Sequence, residues 1–507
     1  MHHDNMHHHR PTLPATPRRF RMFIDGHWTD GHGDQLMTRN SPGHGTPVAQ
    51  WPAGTAQDAK DAIRAARTAF DTGPWPRMPA AERAKVLFKV ADLIEQNVDE
   101  LGLIECLETG KPITQAKGEI RGAADVWRFA AGASRSMAGE TLNNLGDRLL
   151  ALVLRQPLGV IGVITPWNFP FFILAERLPF LLAAGCTAVV KPSEATSGTT
   201  LRLGELLQQA GLPDGVVNLV SGHGADVGQV ILDSDRVDMV SVTGSTATGR
   251  KAIQASVGNI KKLGLELGGK NPHIVFADAN LDDAADGVAF AMSFNAGQCC
   301  VGASRLVAHR SIAAAFTQKL AAKLSRIVVG DPLDPATQVG ALFDEAHMRK
   351  VLSYVEGGVA LGATVVHGGG RTGCDKGWFV QPTLLTNVTP EMPLLRDEIF
   401  GPVLAVIPFD SYEDAIRIAN DTEFGLSASI WTQDVTLALR TMREVQAGRV
   451  WINTTLDNGP EAPMGGMKQS GLGRDAGLAG IEEYTEVKTA HINLQPRTHW
   501  IGAGDGL

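Results

Sequence analysis

Two adjacent cysteines close a short polar stretch, Asn295-Ala296-Gly297-Gln298-Cys299-Cys300. A nucleophilic cysteine needs a tight loop, nearby backbone donors and a stabilised thiolate. A polar, glycine-containing approach suits that need better than it suits a core, where most free cysteines reside. Cys106, Cys186 and Cys374 have the ordinary surroundings of buried thiols. Upstream, Leu265-Glu266-Leu267-Gly268-Gly269-Lys270 sets a glutamate between leucines and before two glycines. That is an odd place for a solvated carboxylate, and a general base in a tight turn would look like this. In Thr165-Pro166-Trp167-Asn168-Phe169-Pro170 two prolines fix the loop around Asn168. An amide held still is what a developing oxyanion requires, although an ordinary strand-to-helix turn reads the same way.

Two further segments have the character of a phosphate and ribose site. Gly244-Ser245-Thr246-Ala247-Thr248-Gly249 follows an apolar run and opens a helical one, so its first N–H groups can receive a phosphate. It is not GxGxxG, so the usual dinucleotide fingerprint is absent. Lys191-Pro192-Ser193-Glu194 follows another apolar run. Lys191 and Glu194 can reach ribose hydroxyls, or can be plain surface charges.

The elements that must position these residues show in the periodicity. Short apolar runs at 160–164, 188–190, 216–220 and 237–242 alternate with helical patterns such as 199–210. Buried strands separated by helices predict a parallel sheet with crossovers, and ligands of such sheets bind at the carboxyl ends of the strands. A second α/β segment starts at Lys270, with strands predicted at 273–276 and 403–408. Residues 55–70 form a helix with a capping-box start at Thr55 and Asp58, and 81–107 form a second helical stretch that ends before Gly110 and Pro112. Ordered structure is expected from Phe23-Ile24-Asp25-Gly26. The apolar stretch 148–155 and the strand-like 486–494 are candidates for an arm that pairs with another subunit.

Composition narrows the classes. The 507 residues allow roughly three domains. With 46 Lys and Arg against 54 Asp and Glu, the net charge of −8 excludes a broad basic nucleic-acid surface. Five scattered cysteines without a CxxC pair are neither a disulfide framework nor a zinc site, and a reducing cytoplasm is the expected compartment. No metal is expected. The apolar run 169–190 contains Glu176 and Arg177, which argues against a spanning helix. The N-terminus has no apolar signal core and is rich in histidine, at His2, His3, His7, His8 and His9, and reads as a polar tail.

Taken together, and in this order along the chain, the segments at Thr165, Lys191, Gly244, Leu265 and Asn295 resemble the aldehyde dehydrogenase superfamily. Glu398-Ile399-Phe400-Gly401-Pro402 and Pro463-Met464-Gly465-Gly466-Met467-Lys468-Gln469-Ser470-Gly471 extend the match, with Met464 where phenylalanine is usual. The resemblance covers residues 23–494. It implies Cys300 as nucleophile, Glu266 as general base and Asn168 as oxyanion donor, with Cys299 at a variable position. It implies an NAD site made by Thr165, Trp167, Lys191, Glu194, Gly224, Gly244, Ser245, Glu398 and Phe400. Glu194 would repel a 2′-phosphate, so NAD is favoured, and NADP stays compatible. A glutamate at 266 favours hydrolysis to a carboxylate over acyl transfer to coenzyme A. The intact set of Cys300, Glu266 and Asn168 argues against a non-catalytic binding protein.

The fold implied is α/β with a Rossmann-like NAD-binding domain, an α/β catalytic domain and a β oligomerisation arm. Its expected boundaries are a disordered tail at 1–20, the NAD-binding domain at 21–134 and 158–268, and the catalytic domain at 269–470. The arm takes 135–157 and 484–495, and a C-terminal tail takes 496–507. A homo-oligomer, dimer or tetramer, acting on a small aldehyde with no nucleic-acid or membrane partner is expected. The substrate tunnel is assigned to Phe169, Ile173, Glu176, Phe294 and Asp457. Many relatives carry Trp-Lys where this chain has Glu176-Arg177. Glu176 therefore either meets a cationic aldehyde, such as an amino- or trimethylammonio-aldehyde, or forms a structural ion pair with Arg177 or another basic residue, the reading favoured here.

Overall fold

The structure, a computed structural model, describes residues 10–372, 376–496 and 501. The histidine-rich run, Cys374, and residues 497–500 and 502–507 lie outside the described residues.

The predicted alternation of strands and helices builds two sheets. In the first, five parallel strands stand in the spatial order Lys262–Glu266, Met239–Thr243, Val160–Ile164, Thr187–Lys191 and Val217–Leu219. Gly471–Leu472 closes one edge antiparallel, and the hairpin of Met22–Ile24 and His27–Thr29 closes the other. Strand order reverses on either side of Val160–Ile164, which makes the crevice above its carboxyl end the natural ligand site. The strands are apolar on both faces because helices cover both. Ala56–Asp71, with the expected Thr55–Asp58 capping box, packs on one side. Ala80–Gln96 and Ile113–Ala133 belong to the core on the other.

The second sheet has seven strands. Thr383–Thr386, Val403–Phe409, Arg305–His309, Pro272–Val275, Ser427–Trp431 and Arg449–Ile452 run parallel, and Thr364–His367 is added antiparallel. The Cys300 loop precedes Arg305–His309, and Glu398 precedes Val403–Phe409. The second sheet therefore turns its amino ends, and the first its carboxyl ends, to the same space. Arg305 locks this end of the second sheet, donating to the carbonyls of Lys270 at 2.9 Å, Ile418 at 2.7 Å and Ala419 at 2.8 Å.

The two candidate arm segments form one antiparallel sheet. Leu149–Pro157 pairs along its whole length with Thr485–Asn493 and also with Glu140–Leu142.

Two expectations need adjusting. Order begins before residue 21, because Arg18–Arg19 pairs with Ala49 and Gln50 and Phe20 is buried near Trp51. The helical stretch 81–107 is two helices, Ala80–Gln96 and Val98–Thr109. It breaks at Asn97, whose ψ of 19° leaves the helical range and whose side-chain amide donates to the Leu93 carbonyl at 2.7 Å. That local bond competes with the helix ladder.

Candidate active site

At the carboxyl edge of the first sheet, Thr165, Lys191, Gly244 and Glu266 sit at or just past the ends of four neighbouring strands. The first three border a cleft of about 1050 Å³ that also takes in Trp167, Asn168, Glu194, Gly224, Ser245, Cys300, Glu398 and Phe400. Every residue expected to hold a dinucleotide lines this one cleft. Glu266 does not line it.

The local chemistry of the cleft suits a phosphate and two riboses. Ser245 caps the helix Thr246–Ser256, accepting from the Thr248 N–H at 3.2 Å, so the helix N-terminus opens on the cleft. Buried Lys191 lies 3.4 Å from the Glu194 carboxylate. Glu398 accepts from the Gly269 N–H at 3.0 Å. A Cβ on Gly268 would stand 2.2 Å from Glu398 Oε2, so the glycine leaves room for the carboxylate where it now lies. The buried hydroxyls of Thr165 and Thr243 have no partner among the described residues. Trp167 stacks on Phe343 with centroids 4.1 Å apart and meets Phe400 edge-on at 5.5 Å. Phe343, His347 and Lys350 belong to segments the sequence did not single out, and no short motif marks them.

Cys300 stands where this cleft meets an apolar cluster. Phe169, Ile173, Val301, Leu426, Trp451 and Met464 form that cluster with Cys299, and Phe294 and Cys300 pack against it. Phe169 and Phe294 stack with centroids 5.8 Å apart. Cys299 is buried in the cluster, whereas Cys300 is half-buried and faces the cleft. The geometry thus separates the two thiols. A hydrogen bond with the Cys299 thiol, burial, and the carboxylates of Glu398 and Glu176 hold the Cys300 thiol well above its ordinary range.

Asn168 follows the strand Val160–Ile164 and precedes the short helix Pro170–Ala175, which Pro170 starts. One of its two amide hydrogens goes to the Gln298 carbonyl at 3.1 Å, and its own carbonyl accepts from Asn295 Nδ2 at 3.0 Å. The second amide hydrogen has no partner among the described residues and can serve a ligand oxygen. Asn271 steadies the other side of the loop, donating to the carbonyls of Cys300 at 2.7 Å and Gly302 at 2.9 Å.

Glu266 ends its strand, buried, and its carboxylate accepts no hydrogen bond among the described residues. Burial and the nearby Asp475 raise its carboxyl well above the usual range, and Arg177 opposes them. Glu176 is in the same charge cluster. Arg177 does not pair with it. The guanidinium turns to Asp475 at 2.5 Å and donates to Ser241 Oγ at 2.8 Å. Burial and Asp475 lift the Glu176 carboxyl to about 7, against the pull of Arg177 and Arg449. Glu176 thus borders the general-base position instead of joining the apolar cluster. Asp457 is exposed, its carboxylate bonded to the Thr454 hydroxyl and its carbonyl accepting from Trp451 Nε1 at 2.8 Å. Of the five residues expected in the tunnel, the structure groups three, Phe169, Ile173 and Phe294, around Cys300.

The model of the aldehyde dehydrogenase family matches residues 28–490. The chain belongs to the aldehyde dehydrogenase family. It is 41% identical over 476 residues to aldehyde dehydrogenase family 2 member C4 of Arabidopsis thaliana, covering 94% of this chain and 95% of that protein. It is 40% identical to betaine aldehyde dehydrogenase of Bacillus subtilis (strain 168), covering 94% and 98%. Among solved structures, the NAD-dependent aldehyde dehydrogenase from Sinorhizobium meliloti shares 49% identity and superimposes with a TM-score of 0.95 over 96% of this chain and 97% of that one. The enzyme is therefore of the aldehyde-oxidising class, and its two-sheet α/β fold is the one its relatives share. No helix among the described residues is long and apolar enough to cross a membrane.

Proposed function

We propose that this aldehyde dehydrogenase uses NAD to oxidise an aldehyde to the free carboxylate through a thioester on Cys300. One observation carries the reading: Cys300 is the residue shared by the cleft that suits a dinucleotide and the apolar cluster that suits an aldehyde side chain. The Sinorhizobium meliloti relative is described as NAD-dependent, and the Lys191–Glu194 pair here offers a carboxylate to a ribose hydroxyl. When bound, NAD supplies a hydride acceptor. Ser245 and the helix it caps would hold the phosphates, Lys191 and Glu194 one ribose, and Glu398 the other.

The chain's own groups do the rest. The Cys300 thiol yields its proton to solvent water, the resulting thiolate attacks the aldehyde carbon, and the charge on the carbonyl oxygen is received by the second Asn168 amide hydrogen and the Cys300 N–H. Loss of hydride from that adduct leaves the thioester. Glu266 takes a proton from water as that water attacks the thioester, and the carboxylate and the Cys300 thiol are released. The aromatic cluster favours an apolar or aromatic aldehyde. A homo-oligomer assembled through the Leu149–Pro157 and Thr485–Asn493 sheet, working in the cytoplasm, completes the reading.

The test is NAD reduction across cationic, neutral and anionic aldehydes of matched size, with Cys300→Ala as the blank. The expected result is reduction that depends on Cys300 and favours neutral aldehydes. Equal rates with and without Cys300 would remove it from the reaction. A preference for cationic aldehydes, lost in Glu176→Gln, would assign Glu176 to the substrate instead.

A further inference from the structure

Beneath the apolar cluster lies a group of charges the reaction does not use. Lys111 is buried completely. It donates to Glu105 Oε1 at 3.0 Å and to Glu119, and its ammonium sits 4.4 Å from the centroid of the Phe169 ring. Glu105 and Glu119 are buried too. The other Glu119 oxygen accepts from Gln115 Nε2 at 2.8 Å. Gln115 Oε1 then accepts from the Asn295 N–H at 3.2 Å. A continuous chain of polar contacts thus runs from Lys111 to the first residue of the cysteine loop.

That loop begins in an unfavourable shape. Asn295, Ala296 and Gly297 have φ of 51°, 54° and 71°. A left-handed conformation is unfavourable for a residue other than glycine, and Ala296 has no polar side chain to compensate. Gly297 has no room for a side chain either, since a Cβ would stand 2.2 Å from the Gly401 carbonyl carbon. Downstream the turn is tied by Asn295 Nδ2 to Asn168 and Gln298 and by the Phe343 N–H to Gln298 Oε1 at 2.8 Å. Upstream, Gln115 is the acceptor for the Asn295 N–H. A buried ammonium with two carboxylates is often no more stable than well-packed apolar residues, so stability alone does not account for it.

We propose that Gln115, oriented by the buried Lys111, Glu119 and Glu105 group, is a positioning residue that holds the left-handed turn at 295–297 and so sets the Asn168 amide against the Cys300 thiol. The inference rests on the proposed roles of Cys300 and Asn168. Gln115 touches neither substrate nor cofactor, and it acts through Asn295.

The experiment compares the pre-steady-state burst of NAD reduction in the wild type, Gln115→Met, Gln115→Ala and Gln115→Glu. The charged groups facing position 115 are Glu119 on its own helix, Lys111 before that helix and Glu105 on the preceding one. At pH 6, below the value of about 8 to which burial lifts Glu119, a carboxyl at 115 can share a proton with Glu119 and still accept from Asn295. The expected result is a burst rate constant roughly tenfold lower in the Met and Ala variants, the size of a lost buried hydrogen bond. NAD affinity should be unchanged, and Gln115→Glu should recover most of the rate at pH 6. The burst rate constant, unlike its amplitude, reports only folded enzyme. A wild-type rate in Gln115→Met or Gln115→Ala would overturn the proposal, as would equal slowing in all three variants. A burst that survives in Cys300→Ala would instead overturn the reading beneath it.

Discussion

Arg177 pairs with Asp475 and not with Glu176, its neighbour in sequence. The pair ties the start of the helix Leu178–Ala184, which Arg177 precedes, to the chain beyond the edge strand Gly471–Leu472, and both partners are buried. It leaves Glu176 without a direct counter-charge beside Glu266. Replacing Arg177 by Met strands the Asp475 charge. The expected loss is about 3–5 kcal/mol of unfolding free energy in denaturant titration. Asp475→Asn in the same background should recover part of it, and a strictly additive double variant would show that the two do not interact.

Glu176 carries a pH signature. Its carboxyl is raised from 4.5 to about 7, because burial disfavours the charged form. A raised acid contributes stability below its unfolded value and loses that contribution as pH rises through the folded one. Wild type and Glu176→Gln should therefore be closest in stability near pH 4.5. The variant should gain on wild type up to about pH 7 and hold that gain above it. A difference independent of pH would mean that Glu176 does not titrate in this range.

Glu266→Gln should keep the first burst of reduced cofactor and lose steady turnover, because the amide cannot take a proton from water. A general base contributes roughly 10²–10⁴-fold. Turnover within a factor of two of wild type would remove Glu266 from the base role.

The Cys300 thiol is held high by Cys299, burial and two carboxylates, so the thiolate fraction at neutral pH is small in the free enzyme. Alkylation of Cys300 by iodoacetamide, located by peptide mass spectrometry, should accelerate through the alkaline range. Glu398→Gln removes one of the raising charges and should move the curve to lower pH. An unshifted curve would mean that Glu398 does not reach the thiol.

Gly268→Ala puts a methyl group where Glu398 Oε2 now lies, 2.2 Å away. The carboxylate must leave the Gly269 N–H. NAD binding followed by tryptophan fluorescence should weaken roughly tenfold, in line with the loss of one hydrogen bond to a charged group, while thermal unfolding changes little. Unchanged affinity would separate Glu398 from the cofactor.

Much of this was legible in the sequence, for a physical reason. The strands Val160–Ile164 and Met239–Thr243 lie in short, mainly apolar runs, and the residues that face the cleft follow directly at their ends, so local pattern and site coincide. The cysteine pair stood out from its own polar, glycine-containing loop, and resemblance chose Cys300 over Cys299; Glu398 and Phe400 were found through motif resemblance, since nothing in their own spacing says which cleft they line. The contacts that escaped are between distant segments. Arg177 and Asp475 lie on separate elements, and a pair of charges has no periodicity. Gln115 and Asn295 are a side chain and a backbone N–H joined only by packing. Phe343 stacks on Trp167 from a stretch with no chemistry-bearing motif. The break at Asn97 was missed because the apolar stripe continues through it.

The strand that carries Glu266 is completed at its edge by Gly471–Leu472, and the Cys300 loop lies between them in the chain. A ribosome adding about 5–20 residues per second needs roughly ten to forty seconds to pass from one edge partner to the other. Over most of that interval the thiol has been made and the wall behind Glu266 has not. The nascent chain therefore carries its reactive cysteine before it has a finished site, and catalytic competence waits for residues 471–472.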